Sequence, residues 1–160
     1  MYNKQLSPEE ALQKLKHYCG YQERCHSEVR EKLFQLGVWK KYHDEIIAGL
    51  IEENYLNEER FAIAYAGGKF RMKQWGKVKI SYELKQKQVS EYCVKKAMKQ
   101  IDENDYQATA TKLAEKKYQD LTGEQYLVRK KKTIDYLLHK GYEYALVASV
   151  VQSLTGKSPE

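Results

Sequence analysis

Leu84-Lys85-Gln86-Lys87-Gln88-Val89 occurs three times in altered form. Leu33-Phe34-Gln35-Leu36-Gly37-Val38 precedes it by 51 residues, and Leu137-Leu138-His139-Lys140-Gly141-Tyr142 follows it by 53. In each copy a leucine is followed five residues later by an apolar residue. Two copies place glycine just before that residue, which reads as a helix ending in a left-handed exit. The second copy has Gln88 there, so the exit is imperfectly kept. A period near fifty residues with one such helix end per copy predicts an internal repeat of three-helix units. The first copy carries three extra residues within Trp39 to His43.

Helix punctuation fills in the rest of each unit. Ser7-Pro8-Glu9-Glu10 offers a capping serine, a proline at the first helical position and a capping-box glutamate. Ala11, Leu12, Leu15, Tyr18 and Cys19 give that helix one apolar face before Gly20. Ser27 is read as the cap of a second helix bearing Val29, Leu33 and Leu36, and Asp44 as the start of a third with Ile46, Ile47, Leu50 and Ile51. Asn57 caps the next helix, whose stripe of Phe61, Ala64, Tyr65 and Met72 is weakened by Gly67 and Gly68. Ile80 and Leu84 mark a fifth helix. Ser90 caps a sixth with Val94, Ala97, Met98 and Ile101, and Ala110, Leu113, Ala114 and Tyr118 form a seventh that Thr122-Gly123 ends. Ile134, Leu137 and Leu138 precede Gly141, and Val147, Val150, Val151 and Leu154 close the pattern. The expected fold is all-α, an elongated array of three tandem three-helix repeats with about nine helices, divided at 1–55, 56–102 and 103–160.

Composition agrees. Of 160 residues only two are proline and nine glycine, 42% are hydrophobic and 31% charged with both signs interspersed, enough for a core and unlike a disordered tail. No apolar run approaches the roughly 18 residues of a membrane span, and Met1 to Glu10 lacks the order of a signal peptide, so a cytoplasmic protein is expected. Three cysteines with no paired CxxC are expected to be reduced thiols. His17, Cys19, Cys25 and His26 cluster, but their spacing is poor for tetrahedral zinc. The chain has no Gly-rich phosphate loop, no HExxH and no Gly-x-Ser-x-Gly, and Glu52-Glu53 and Glu58-Glu59 read as helix-end solvation. No cofactor, no metal and no enzymatic activity are expected.

The net charge of +6 is unevenly spread. From Lys69 to Lys99 ten basic residues face only Glu83 and Glu91, so that stretch alone is +8, while the N-terminal flank to Gly68 is −2 and the C-terminal flank is neutral. A field of that density favours a polyanion or an acidic protein surface. A second basic knot, Arg129-Lys130-Lys131-Lys132, reads equally well as a solvated helix face. Among the fourteen tyrosines most fall on core-like positions, while Tyr82 and Tyr92 lie inside the basic stretch, where bases could stack. Trp75, between Lys73 and Lys77, suits an interface or a helix junction.

Several segments resemble the RecX regulatory proteins, which modulate the bacterial recombinase RecA. Tyr55-Leu56-Asn57-Glu58-Glu59-Arg60-Phe61-Ala62-Ile63-Ala64-Tyr65 is similar to that family's Leu-Asp-x-x-Arg-Phe-Ala-x-x-Tyr, with Asn57 in place of Asp. Gly76, Ile80, Glu83, Leu84, Lys87 and Val89 are similar to its Gly-x-x-x-Ile-x-x-Glu-Leu-x-x-Lys-Gly-Ile run, with Gln88 replacing glycine. Arg24, Ser27, Lys32, Leu33 and Gly37 resemble an upstream helix, and Leu137 to Tyr142 resembles Leu-Leu-Arg-Arg-Gly-Phe. The resemblance implies a non-catalytic protein that binds the groove of the RecA filament on single-stranded DNA. It also implies inhibition of ATP hydrolysis and strand exchange, within DNA repair, recombination and the SOS response.

Joined to the charge map, the resemblance nominates Arg60, Lys69, Arg71, Lys73, Lys77, Lys79, Lys85 and Lys87 as the electrostatic contact set, with Trp75 as an anchor. Arg60 reads equally well as an internal ion-pair partner. Direct binding to DNA without RecA is the alternative reading, no membrane is involved, and a monomer is the simplest state.

Overall fold

The structure, a computed structural model, describes residues 6–156. It is all helical among these. The α-helices are α1 (Pro8–Tyr21), α2 (His26–Gln35), α3 (His43–Glu52), α4 (Glu58–Gly68), α5 (Lys77–Gln86), α6 (Glu91–Lys99), α7 (Glu103–Asp120), α8 (Tyr126–Lys140) and α9 (Tyr144–Thr155). A 3₁₀ turn, Lys40–Tyr42, occupies the place of the three extra residues in the first copy, and a π-helical turn, Lys69–Lys73, follows α4.

The six-residue repeat is one hydrogen-bonded motif built three times. The amides of Val38, Val89 and Tyr142 donate to the carbonyls of Leu33, Leu84 and Leu137 at 3.0, 3.1 and 3.2 Å. The amides of Gly37, Gln88 and Gly141 donate to Phe34, Lys85 and Leu138 at 3.0, 2.9 and 3.0 Å. This is the Schellman arrangement, which satisfies the last carbonyls of a helix through a residue of positive φ. Gly37 has φ 75°, Gly141 has φ 101°, and Gln88 adopts φ 64° without being glycine. The exit is therefore kept in all three copies. Each motif's leucine and its apolar follower are buried, so the local turn and the long-range core select the same residues.

The helix starts follow the sequence in most cases. Ser7 accepts from the Glu10 amide at 3.1 Å, Asn57 from Arg60 at 2.9 Å, Ser90 from Cys93 at 3.3 Å and Asp102 from Asp105 at 2.9 Å. Ser27 does not cap α2. That helix begins at His26, with the Glu28 carboxylate accepting from the Cys25 amide at 3.1 Å, and the Ser27 hydroxyl instead donates to the Lys87 carbonyl at 2.7 Å. The stripe of α4 also departs from expectation. Ala62, Ala66 and Phe70, spaced four residues apart, are buried while Ala64 and Met72 are exposed, so the buried face of α4 is one residue off the expected one, and Met72 lies on the π turn.

Contacts between Cα atoms divide the chain into two compact units. The first runs to Tyr65 and includes Leu84–Ala97, and the second comprises Ala66–Glu83 and the chain from Met98 onward. The first unit is organised around Ala11, Leu15, Val29, Leu33, Ile46 and Leu50. The second has α7, α8 and α9 packed together over Ala110, Leu113, Leu137 and Val147. It also holds an aromatic row, with Phe70 and Tyr142 each beside Tyr106 at ring separations of 5.7 and 5.1 Å. The sequence reading did not single out Tyr106, which lies between Asp105 and Gln107.

Candidate functional site

The π helix, the turn that follows it and the start of α5 together carry six of the nine nominated residues, and main-chain atoms of the second unit hold this segment in place. α5 begins without a side-chain cap of its own. Instead the amide of Gly76 donates to the Lys140 carbonyl at 2.9 Å and that of Val78 to the Gly141 carbonyl at 2.9 Å, while the Lys77 amide donates to the Tyr106 hydroxyl at 2.8 Å. The Tyr106 hydroxyl in turn donates to the Glu143 carboxylate. Burial, reinforced by that carboxylate, raises the Tyr106 phenol far above its ordinary pKa, which keeps it a donor. The approach is so close that a Cβ at Gly76 would lie 2.3 Å from the carbonyl carbon and oxygen of Gly141. Glycine is required there by space. On the other side of the turn Gln74 adopts φ 58°, and its carbonyl accepts from the Tyr142 hydroxyl at 2.9 Å.

This frame presents a tight group of cations. The Nζ atoms of Lys79 and Lys69 lie over the Trp75 ring, 4.6 and 5.1 Å from its centroid. Lys140, on the last turn of α8, sends its Nζ to the Lys73 carbonyl at 2.9 Å. Partial burial, then the charges of Lys79 and Lys73, push the Lys140 ammonium below its ordinary pKa. Met72, 85% exposed, stands on the same π turn. Next to Gln74, Lys112, Lys116 and Lys117 line a cavity of about 420 Å³ that also meets Asp120 and Tyr136. Sequence reasoning missed Lys140 as a site residue; its only sequence signal is its place in the repeated motif, opposite Lys87.

The remaining nominees are placed differently. Arg71 is exposed, with its guanidinium against Gly67, where a Cβ would meet Nη1 at 2.7 Å. Lys77 Nζ is 3.2 Å from Glu103 and lies over the Tyr106 ring at 4.6 Å, so its charge is partly answered. Arg60, Lys85 and Lys87 belong to the first unit. Arg60 is held internally, its Nε within 2.7 Å of both Glu23 oxygens and its two Nη groups on the side-chain and main-chain oxygens of Asn54. Lys87 lies 3.4 Å from Glu28 and over Tyr65. Lys85 is exposed. The second basic knot is largely engaged. Arg129 stacks on Tyr118 at 3.6 Å and donates to its carbonyl, while Lys131 and Lys132 pair with Asp135 and Glu124.

No cluster of three or more His, Cys, Asp or Glu side chains suited to a metal ion is present among the described residues. Cys19, Cys25 and Cys93 are buried thiols, and burial raises that of Cys19 to about 11. No described helix is long and apolar enough to cross a membrane.

Residues 57–98 match the family model of the RecX second three-helix domain, and residues 103–151 match that of the RecX third three-helix domain. The chain is 37% identical over 135 residues to the regulatory protein RecX of Clostridium perfringens, covering 82% of this chain and 62% of the relative. It is 27% identical over 137 residues to that of Bacillus cytotoxicus, covering 86% of this chain and 51% of the relative. The chain thus spans between half and two thirds of the length of these relatives. Among solved structures, RecX from Lactobacillus salivarius superposes with a TM-score of 0.84 over 92% of this chain and 96% of that one, at 24% identity. Matched over the second and third three-helix domains and at this level of identity to its relatives, the chain belongs to the RecX family of regulatory proteins.

Proposed function

We propose that this chain is a negative regulator of the recombinase RecA that binds the groove of the RecA filament on single-stranded DNA. There it inhibits ATP hydrolysis and strand exchange without performing catalysis. Family membership supports the choice of partner. The observation that carries the choice of surface is the crowding of Lys73, Lys79 and Lys140 beside Trp75, where Lys140 holds its proton less tightly than a free lysine. A surface that keeps positive charges close together is stabilised by an external anion, whether phosphate backbone or acidic protein. Lys69 and Arg71 extend that surface, and Lys77 supports it with a charge partly answered by Glu103, while Lys85, Lys87 and Arg60 are proposed as contacts of the first unit by itself. The division at 1–55, 56–102 and 103–160 into three repeats is part of the same proposal, as are a monomeric state and a cytoplasmic location.

The test is RecA ATP hydrolysis on single-stranded DNA with this chain titrated in. Inhibition is expected for the parent. A Lys73→Glu/Lys79→Glu/Lys140→Glu variant should require about tenfold more protein or worse, since each lost contact to a polyanion is worth on the order of 0.5–1 kcal/mol. Equal inhibition by a variant of unchanged helicity would move the contact surface elsewhere. Binding to naked DNA alone, without effect on RecA, would favour the RecA-independent reading.

A further inference from the structure

The first unit contains a second cationic and aromatic site, in a stretch whose net charge is −2. Lys14, His17, Tyr18 and Tyr21 stand at positions i, i+3, i+4 and i+7 of α1 and so share one helix face. With Arg24 and with Lys32 of α2 they line a cavity of about 530 Å³, within the range of small-ligand sites. Among the described residues no carboxylate lines it, although the charges of Glu28 and Glu31 reach Tyr18. Glu28, the acid closest in sequence to Arg24 on α2, is already committed to the Cys25 amide and the Lys87 ammonium.

The site is preset. The Arg24 guanidinium lies 3.7 Å from the Tyr18 ring centroid, and its Nε donates to the Tyr18 carbonyl at 3.2 Å. Its Nη groups have no protein acceptor among the described residues. Lys32 Nζ lies 5.4 Å from the same ring. Tyr21, at the lip, is 80% exposed and also borders a second hollow containing Tyr55, over which Lys16, itself paired with Glu53, lies at 5.7 Å. Cations alone would suit an acidic peptide. Exposed aromatic faces alternating with cations suit a ligand that alternates aromatic rings with anions, which is the chemistry of nucleotides.

We propose that the hollow between α1 and α2 is a nucleotide subsite, holding a phosphate on Lys14, Arg24 and Lys32 and a base on the Tyr21 ring. Tyr55 in the adjoining hollow continues the row, so consecutive nucleotides of a single strand are its fitting occupant. The site is independent of the filament reading, because it concerns the chain alone with nucleic acid.

The experiment uses the full chain and a 12-nucleotide oligothymidylate carrying one 5-iododeoxyuridine, irradiated and mapped by peptide mass spectrometry, with affinity read by anisotropy. The expected crosslink falls on the peptide containing Tyr21. Tyr21→Ala should lose that crosslink and weaken binding about fivefold or more, whereas Tyr21→Phe keeps both. Lys14→Glu/Lys32→Glu should abolish the Tyr21 crosslink with helicity unchanged. Displacement of the crosslink by millimolar thymidine triphosphate supports the site with a free nucleotide as occupant, and resistance to it supports the strand. The proposal is overturned by crosslinks confined to peptides from Lys69–Lys79, by variants that bind and crosslink as the parent does, or by oligoglutamate competing as well as oligothymidylate.

Discussion

The amide of Gly76 donates to the carbonyl of Lys140 at 2.9 Å, and the residues that match this pair one repeat earlier, Cys25 and Lys87, meet as well. In the earlier copy side chains make the joint. The Ser27 hydroxyl donates to the Lys87 carbonyl at 2.7 Å, with Cys25 Sγ 4.0 Å from the same oxygen. In the later copy the main chain makes it, and the absent side chain of Gly76 brings the two backbones together. Gly76→Ala should therefore lower stability by about 2–4 kcal/mol, combining overpacking with loss of the hydrogen bond. Gly68→Ala is the control. Gly68 has φ −63° and ψ −47° and an open Cβ position, so alanine there should add about 0.5–1 kcal/mol. Urea unfolding followed by helical circular dichroism reads both.

The three Schellman exits differ in strain, since Gln88 bears a side chain at φ 64°. Gln88→Gly should stabilise the chain by about 1 kcal/mol, and Gly37→Ala, at φ 75° in open space, should destabilise it by a similar amount. Opposite signs in the two midpoints are the expected outcome; equal signs would mean that the left-handed exit costs nothing here.

Tyr106 links the start of α5 to Glu143 through one hydroxyl. Tyr106→Phe keeps the ring stacked with Phe70 and Tyr142 but leaves the Lys77 amide and the carboxylate without it. A loss of about 1–3 kcal/mol is expected. Glu143→Gln retains an acceptor and should cost less. Hydrogen exchange at the Lys77 amide should quicken in Tyr106→Phe before global unfolding does.

Lys140 supplies a pH test. Its amine releases its proton below the ordinary value of 10.5 because of burial and the charges of Lys79 and Lys73. The folded chain then binds fewer protons than the unfolded one just below that pH. The cost of this charge is fully present below the folded pKa and is relieved as pH rises toward 10.5. NMR titration of the lysine ε-carbons should show Lys140 titrating early, with Lys73→Gln/Lys79→Gln moving it back up. Saturating polyanion should raise it too.

What the sequence made legible was whatever is settled within a few residues. The leucine, glycine and apolar follower of each repeat are one hydrogen-bonded turn, so spacing alone revealed them, and Ser7, Asn57 and Ser90 cap through neighbours three residues away. The errors are of longer reach. The Ser27 hydroxyl is drawn to a carbonyl sixty residues on. Met72 was read by a 3.6-residue period that the π turn breaks, while Phe70 continues the buried row of Ala62 and Ala66. Lys140 joins Lys73 across 67 residues, through its ammonium, at a position no local pattern distinguishes. The charge map marked the stretch from Lys69 to Lys99, yet it could not separate Lys73 and Lys79, which crowd another cation, from Lys77 and Lys87, which have carboxylates beside them.

The joint at Gly76 is made of amides and carbonyls, and it asks that residues 76 and 141 both lack a side chain, since a Cβ at Gly141 would lie 2.3 Å from Lys79 Cβ. The outward-facing side chains of the same turn, Arg71, Met72 and Lys73, contribute no side-chain hydrogen bond to it. Substitutions at these three positions can accordingly change the exposed chemistry of the turn while leaving its position unchanged. The scaffold of this turn and its exposed chemistry are written in different atoms, so the second can be exchanged with no redesign of the first.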